Sequence, residues 1–154
     1  MNDFLEKVKC FHVMFNVPVL ETPQIPSKER CDLRISLISE ELDEMKEAIE
    51  NGDVIGIADS LGDLMVVLCG SILEFGMGEK FNEILENIHN SNMSKACTSQ
   101  QEALATLSHY KQKDGTEGRY EEVNGKYIVY RSVDNKVLKS IGYSPASLED
   151  IINS

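Results

Sequence analysis

The chain has 154 residues and a formal net charge of −11. This length suits one domain with a hydrophobic core of its own. The acidity argues against nucleic acid and anionic membrane surfaces as partners, because both would be repelled. The four cysteines are widely spaced and include no CxxC pair, so we expect free thiols and a cytoplasmic location. The N-terminal residues lack the pattern of a signal peptide.

The first predicted element is an amphipathic helix from Asp3 to Phe15, because apolar residues recur there at helical spacing. Its predicted core stripe consists of Phe4, Val8, Phe11 and Phe15. An extended connector is predicted next, since three prolines restrict their own backbone and that of the residue before each. These are Pro18, Pro23 and Pro26.

The second predicted helix runs from Lys28 to Glu50, with Ser27 as a candidate N-cap. The Asn51-Gly52 pair ends it, because both residues tolerate a left-handed backbone. A neighbouring face of this helix changes from apolar to acidic halfway along its length. The predicted core stripe is Ile35, Ile38, Leu42, Met45 and Ile49.

Asp53 is a candidate N-cap for a third helix, which continues to Phe75 and ends at Gly76. This helix is apolar on nearly every side and long enough to span a bilayer. Asp59 and Asp63 near its middle favour a buried core helix instead. The connection from the second helix is very short, which places the two helices side by side and antiparallel.

A fourth helix is predicted from Glu79 to Lys95, and a capping box at residues 99–102 opens a fifth that ends near Tyr110. Three short β-type runs follow, with Asn124-Gly125 as a strong hairpin signal. They cover residues 119–123, 126–131 and 136–139. We therefore predict an all-α bundle of four to five helices in residues 1–112, with a small β-hairpin tail in residues 113–154.

Five carboxylates are predicted to converge on the second and third helices. Glu40, Glu41 and Glu44 lie within about one helical turn, and Asp59 and Asp63 share a face because they are four residues apart. Both groups lie about two turns from the connecting turn, so they face each other. A lone run of this kind is usually a solvated helix face. Burial in an apolar helix with few nearby cations favours a divalent metal site instead.

The segments Glu40-Glu-Leu-Asp-Glu44 and Ala58-Asp-Ser-Leu-Gly-Asp63 resemble the motifs of the all-α nucleoside triphosphate pyrophosphohydrolases, the MazG-like and phosphoribosyl-ATP pyrophosphohydrolase-like group. Residues 11–18, 90–95 and 139–145 resemble other signatures of that group. The resemblance implies a MazG-like bundle and Mg²⁺-dependent cleavage of a nucleoside triphosphate, expected to be a deoxynucleotide, to its monophosphate and pyrophosphate. It also implies a homodimer or homotetramer with shared active sites. We further expect that Mn²⁺ can substitute for Mg²⁺.

The metal ligands expected from the residues and the resemblance together are Glu40, Glu41, Glu44, Asp63 and Asp59. One departure is Ser60, where the group usually has Glu three residues before the Asp that corresponds to Asp63. Whether Asp59 replaces that Glu, and hence the number of bound ions, is left open. We expect Glu41 to orient or deprotonate the attacking water.

Several residues outside the carboxylate motifs are candidate substrate contacts: Asn92, Lys95, Lys139, Tyr143 and Asn16. For Asn92 and Lys95 the plain alternative is a helix C-terminus, where a lysine complements the helix dipole. For Lys139 and Tyr143 the proposed role is closure over a nucleotide by a cation and an aromatic ring.

Three alternatives to this function share parts of the pattern. A phosphoribosyl-ATP pyrophosphohydrolase of histidine synthesis would have the same fold and chemistry. A non-enzymatic helical interaction module would use the carboxylates as a solvated face. A di-iron carboxylate bundle would need two Glu-x-x-His motifs on different helices, and the chain offers only the one at residues 86–89.

Overall fold

Helices and one small sheet make up the regular structure in a computed structural model, which describes residues 2–154. The elements are α1 (Asn2–Met14), α2 (Lys28–Asn51), α3 (Val54–Glu74), α4 (Phe81–Met93), α5 (Gln100–Asp114), β1 (Gly118–Val123), β2 (Lys126–Arg131) and α6 (Glu149–Asn153). The predicted class, a helical chain with a C-terminal β-hairpin, is confirmed.

The described chain divides into two compact units. One contains residues 2–82 together with Ser154, and the other contains residues 83–153. The predicted domains, residues 1–112 and 113–154, stay a prediction.

Local signals determine the antiparallel pairing of α2 and α3. Gly52 has a φ of 66° and ends α2 in the left-handed region, where a side chain is disfavoured. The Asp53 carboxylate then accepts hydrogen bonds at 3.0 Å from the N–H groups of Ile55 and Gly56, which caps α3. Ser27 occupies the N-cap position of α2, but its side chain makes no capping hydrogen bond. The predicted hairpin between the two acidic helices is confirmed.

The buried face of α1 differs from the predicted stripe. Leu5, Val8 and His12 are buried, whereas Phe11 and Phe15 are exposed by 50% and 61%. Leu5 and Val8 pack in one cluster with Cys69 and Leu73 of α3. The prediction was wrong because helical spacing alone gave two overlapping apolar stripes, and contact with α3 selects the one that contains Leu5.

The predicted core stripe of α2 is also wrong in part. Ile35, Leu42 and Ile49 are exposed by 66%, 39% and 56%. The positions buried against α3 are Arg34 and Ala48, with Glu41 half-buried between them at heptad spacing. The apolar stripe therefore lies on an open side of the α2–α3 pair in the single chain.

Helix α3 is long and apolar enough by composition to cross a membrane, but it packs along α2. Its buried residues lie mostly in the C-terminal half, from Val67 to Glu74, with Ser60 as an addition. Leu61, Met65 and Leu68 are exposed by 51%, 39% and 43%. The predicted core helix is thus buried along one face and open along another.

In the second unit, α5 packs on the hairpin of β1 and β2 around a core cluster of Cys97, Ala103, Val129 and Leu138. Asn124 and Gly125 have φ of 52° and 74°, as the predicted two-residue turn requires. The third β-type run forms only an isolated bridge between Val137 and Tyr130 rather than a strand. Helix α6 was not predicted, because five residues are too few to show a helical period.

Gly76 follows α3 and provides a test of how the connector packs against the end of that helix. Its φ is 70°, and a Cβ there would overlap the carbonyl oxygen of Thr22 in the connector. We expect Gly76→Ala to lower the free energy of unfolding by at least about 2 kcal/mol. The matched variant is Gly62→Ala, where a Cβ would meet nothing within 4 Å inside α3. It should instead stabilise by about 0.5–1 kcal/mol. Chemical denaturation measures both, and equal effects would contradict the packing of the connector on α3.

Candidate active site

The candidate site lies where α2 and α3 face each other. Glu40, Glu41 and Glu44 project from α2, and Asp59 and Asp63 project from α3. Glu41 is half-buried, whereas the other four are exposed. The antiparallel pairing of the two helices thus places both predicted acidic groups on one helical hairpin.

Glu41 is the most unusual carboxylate of this group. Its Oε2 atom is buried and has no hydrogen-bond partner within residues 2–154. Burial raises the pKa of Glu41, and the negative charges of its neighbours raise it further. In order of effect these neighbours are Glu44, Asp63, Glu40 and Asp59. Because all four act on Glu41, the five carboxylates form one electrostatic cluster.

The cluster has no protein counter-charge in the described chain. No Lys or Arg in residues 2–154 forms an ion pair with any of the five carboxylates. Nor do three Asp, Glu, His or Cys side chains of that range converge closely enough to form a ready-made metal site. Like charges without a cation between them repel, which accounts for carboxylates that share a face but do not meet.

The donor set nevertheless suits a hard divalent cation. Carboxylate oxygens are the ligands that Mg²⁺ and Mn²⁺ prefer, and Mg²⁺ uses one or two of them together with water and phosphate oxygens. The unpartnered Oε2 atom of Glu41 is the observation that fits this group best, because a buried carboxylate oxygen needs a cation or a donor. Glu40, Glu41, Glu44, Asp59 and Asp63 could hold such an ion.

Two recesses flank the carboxylates on the α2–α3 surface. One, of about 330 Å³, lies toward the connecting turn and is polar, with Glu44, Glu47 and Asp59 among its lining residues. The other, of about 350 Å³, lies toward α1 and is mostly apolar, with Phe11, Leu37 and Val66 among its lining residues. The carboxylate cluster therefore lies between an acidic and an apolar surface.

A buried ion network, which the sequence analysis missed, joins α2 to the end of α3. Glu74 is 1% exposed and accepts hydrogen bonds from the guanidinium groups of both Arg30 and Arg34. Burial raises the pKa of Glu74, but the two arginines outweigh it and hold the pKa below its ordinary value. The four-residue spacing of Arg30 and Arg34 was a signal for a shared acidic partner, but nothing local pointed to Glu74.

His12 and Asn16 lie at the other end of this unit. The Nδ1 atom of His12 lies 3.1 Å from the carbonyl oxygen of Pro18, so it must be the donor. Burial lowers the pKa of His12, which favours the neutral ring. Asn16 is exposed and has a φ of 55° just beyond α1. His12 is thus a buried residue that hydrogen-bonds the connector, and the predicted substrate contact of Asn16 stays a prediction.

In the second unit, two segments that are far apart in sequence come together. Ser91 donates a hydrogen bond to the Tyr143 hydroxyl oxygen at 3.1 Å, and the Nζ atom of Lys139 lies 4.2 Å from the Tyr143 ring centre. The hydrogen bond from Ser91 lowers the pKa of Tyr143, and Lys139 and Lys95 lower it further. The candidate contacts Lys139 and Tyr143 therefore belong to one group, to which Ser91 is an unpredicted addition.

Asn92 and Lys95 also contact each other, since the Lys95 Nζ atom donates to Asn92 Oδ1 at 2.6 Å. Within residues 2–154, neither Lys95 nor Lys139 forms an ion pair with a carboxylate. In a chain of net charge −11 these two cations are open to an anionic ligand. Their contact with substrate remains a prediction.

Comparisons with known proteins bear on both acidic helices. A sequence model of the family described as phosphoribosyl-ATP pyrophosphohydrolase matches residues 8–92. An uncharacterized protein of Acanthamoeba polyphaga mimivirus is 33% identical over an alignment of 81 residues, which covers 49% of this chain and 32% of that protein. The chain thus spans about a third of the length of this curated relative.

Proposed function

Because the chain belongs to the phosphoribosyl-ATP pyrophosphohydrolase family, we propose that it hydrolyses nucleoside triphosphates, and deoxynucleotides in particular, to monophosphate and pyrophosphate. The observation that carries the proposal is the buried, unpartnered carboxylate oxygen of Glu41 within a cluster of five acidic side chains. Such a cluster suits a divalent cation that binds phosphate. Measurement of pyrophosphate release from a panel of nucleotides tests the proposal.

The chain's own residues have distinct roles in this proposal. Glu40, Glu41, Glu44, Asp59 and Asp63 would hold Mg²⁺, or Mn²⁺ in its place, which supplies neutralisation of phosphate charge and activation of water. Glu41 also accepts a proton from the attacking water or orients it, since it is the half-buried carboxylate of the five and lies between the two acidic groups. Water then attacks phosphorus, and the bond between the α and β phosphates breaks to release pyrophosphate.

Phosphoribosyl-ATP is the second candidate substrate, favoured by the description of the matching family. It has the same scissile bond between the α and β phosphates, so the same carboxylates would serve. A competition assay with deoxynucleoside triphosphates separates the two substrates by the ratio of their kcat/KM values.

The proposed binding of Mg²⁺ should raise the melting temperature of the chain. We expect millimolar Mg²⁺ to raise the melting temperature of the wild-type chain, because a ligand that binds only the folded state stabilises it by mass action. The stabilisation is about 2.7 kcal/mol when the ion is present at a hundredfold of its Kd. Differential scanning calorimetry with and without Mg²⁺ measures it. A non-enzymatic interaction module predicts no gain. Under the present proposal Glu41→Gln should show a smaller gain than the wild type, because four of the five carboxylates remain.

We also propose that two or four copies associate through the open apolar stripe of α2 and the adjoining face of α3. Ile35, Leu42 and Ile49 are spaced by seven residues, as in helix pairs that pack along their length. Leu61 and Leu68 of α3 repeat the same spacing and are also exposed. Exposed apolar residues repeated at this spacing along two neighbouring helices suit an interaction site. Shared active sites between the copies follow from the family resemblance.

The association has a direct test. The double variant Ile35→Lys, Ile49→Lys should be monomeric by light scattering, because lysines at these positions would be buried in the interface. It should also lose pyrophosphohydrolase activity, because the proposed active sites are shared between copies. Val133→Lys is the control, since Val133 is 85% exposed in the second unit. A wild-type chain that is monomeric at tens of micromolar would refute the proposal.

A further inference from the structure

A buried histidine lies where the end of α1 meets α2, α3 and the connector of residues 15–27. His12 is 3% exposed, and its Nδ1 atom donates to the Pro18 carbonyl oxygen at 3.1 Å. Its Nε2 atom lies over Gly70 of α3, where an added Cβ would come within 2.9 Å of Nε2 and 2.5 Å of a guanidinium nitrogen of Arg34. The imidazole and this guanidinium therefore pack side by side on the glycine.

The surroundings of His12 suit a neutral ring. Because Nδ1 carries the proton, Nε2 of the neutral ring has none, and a second proton would add a cation beside Arg34, which offers only donors. Burial lowers the pKa of His12 most, and the positive charges of Arg34 and Arg30 lower it further, whereas the Pro18 carbonyl and Glu74 raise it. Glu74 offsets the charge only in part, because both arginines already engage its carboxylate.

The connector depends on His12 for its attachment to the helices. No residue from 15 to 27 is buried. Two backbone hydrogen bonds attach the connector to the end of α3, from the N–H groups of Leu20 and Gln24 at 3.0 and 3.1 Å. Segments with little buried surface and exposed hydrogen bonds open locally at low cost in free energy. The buried ring that bonds Pro18 is therefore a main attachment of the connector.

We propose that His12 is a pH-sensitive latch, in which the neutral ring holds the connector against α1 and α3 and the protonated ring releases it. A charged ring reaches water only by leaving Gly70 and Arg34, and its hydrogen bond to Pro18 breaks with that movement. The latch uses none of the five clustered carboxylates. It goes beyond the proposed function and holds whether or not the chain cleaves nucleotides.

Proton linkage gives the direction and the size of the effect. Above the ordinary histidine pKa of 6.5, the ring is neutral in both the latched and the released state. Below 6.5 the released state takes up a proton that the latched state resists. Opening is then favoured by up to about tenfold for each pH unit until the pKa of the latched state is reached. Glu41 also has a raised pKa, so a variant comparison is needed to assign the effect.

Amide exchange followed by NMR measures the latch, with the N–H groups of Leu20 and Gln24 as reporters. In the wild type, their protection factors should fall at least about fivefold between about pH 7.5 and pH 5. His12→Asn keeps a donor for the Pro18 carbonyl but cannot be protonated, so its protection factors should change by less than about twofold. His89→Asn changes an exposed histidine of α4 and is the matched control, which should behave as the wild type.

Proton NMR of the imidazole rings adds a test that needs no variant. The His12 ring should titrate at a lower pH than the rings of His89 and His109, which are exposed. Equal midpoints for the three rings would overturn the latch, and so would equal pH dependence of exchange in wild type and His12→Asn. Unchanged protection of Leu20 and Gln24 in acidified wild type would also overturn it. Loss of protection throughout the α2–α3 pair to the same extent would contradict a local release.

Discussion

Replacement of Glu41 by Gln is expected to lower kcat for pyrophosphate release by about 10²–10⁴-fold, the usual contribution of a general base. Gln keeps the size of the side chain but cannot accept a proton or balance the charge of a cation. Glu41 also has a buried carboxylate oxygen without a hydrogen-bond partner in residues 2–154, so no described donor competes for that oxygen with a cation or a water molecule. Steady-state kinetics with saturating Mg²⁺ measures the effect.

Glu50→Gln is the matched control for this variant. Glu50 lies on the same helix and is exposed, and it points away from the carboxylate cluster because nine residues turn the helix by about half a rotation. The net charge changes by the same amount in both variants. Activity within twofold of wild type is expected for Glu50→Gln. Similar rates in both variants would remove Glu41 from the mechanism.

The second large effect is structural and concerns Glu74. We expect Glu74→Gln to lower the free energy of unfolding by about 3–5 kcal/mol, because it leaves two partly buried arginines without their anion. For a chain of this size that corresponds to a fall in melting temperature of roughly 6–20 °C. Glu6→Gln, an exposed change on α1, should alter the melting temperature by less than about 2 °C.

The stabilisation by Glu74 should depend on pH in one direction. The folded chain holds the pKa of Glu74 below its ordinary value of 4.5, so the unfolded chain takes up this proton first as the pH falls. The contribution is therefore complete at neutral pH and is lost as the pH falls below 4.5 through the folded-state pKa. The difference in melting temperature between wild type and Glu74→Gln should shrink over the same range. A difference that grows toward acid would contradict the ion network.

Elements with local signals could be predicted from sequence. The turn at Gly52 and Asp53 depends on two residues whose backbone and side chain specify it, and the Asn124-Gly125 hairpin is equally local. The acidic cluster followed from these turns, because an antiparallel pair fixes which residues lie opposite each other. The carboxylates and their shared surface were therefore accessible without a structure.

Features that depend on distant partners were not accessible. The buried face of α1 is selected by Cys69 and Leu73, some sixty residues away. Glu74 pairs with Arg34 and Arg30, which lie 40 and 44 positions earlier in the sequence. Helical periodicity does not predict contacts over such a separation. The stripe of Ile35, Leu42 and Ile49 was correctly identified as apolar but wrongly assigned to the core, since periodicity cannot distinguish a buried apolar face from an exposed one.

The most direct test of the proposed chemistry is the product stoichiometry of the wild-type chain. Phosphorus NMR of a reaction with a deoxynucleoside triphosphate and Mg²⁺ should show one nucleoside monophosphate and one pyrophosphate for each substrate consumed, and no reaction when the metal is chelated. Release of orthophosphate with a nucleoside diphosphate would place the cleavage at a different bond. That result, or no turnover of any nucleotide in the presence of Mg²⁺ or Mn²⁺, would contradict the account.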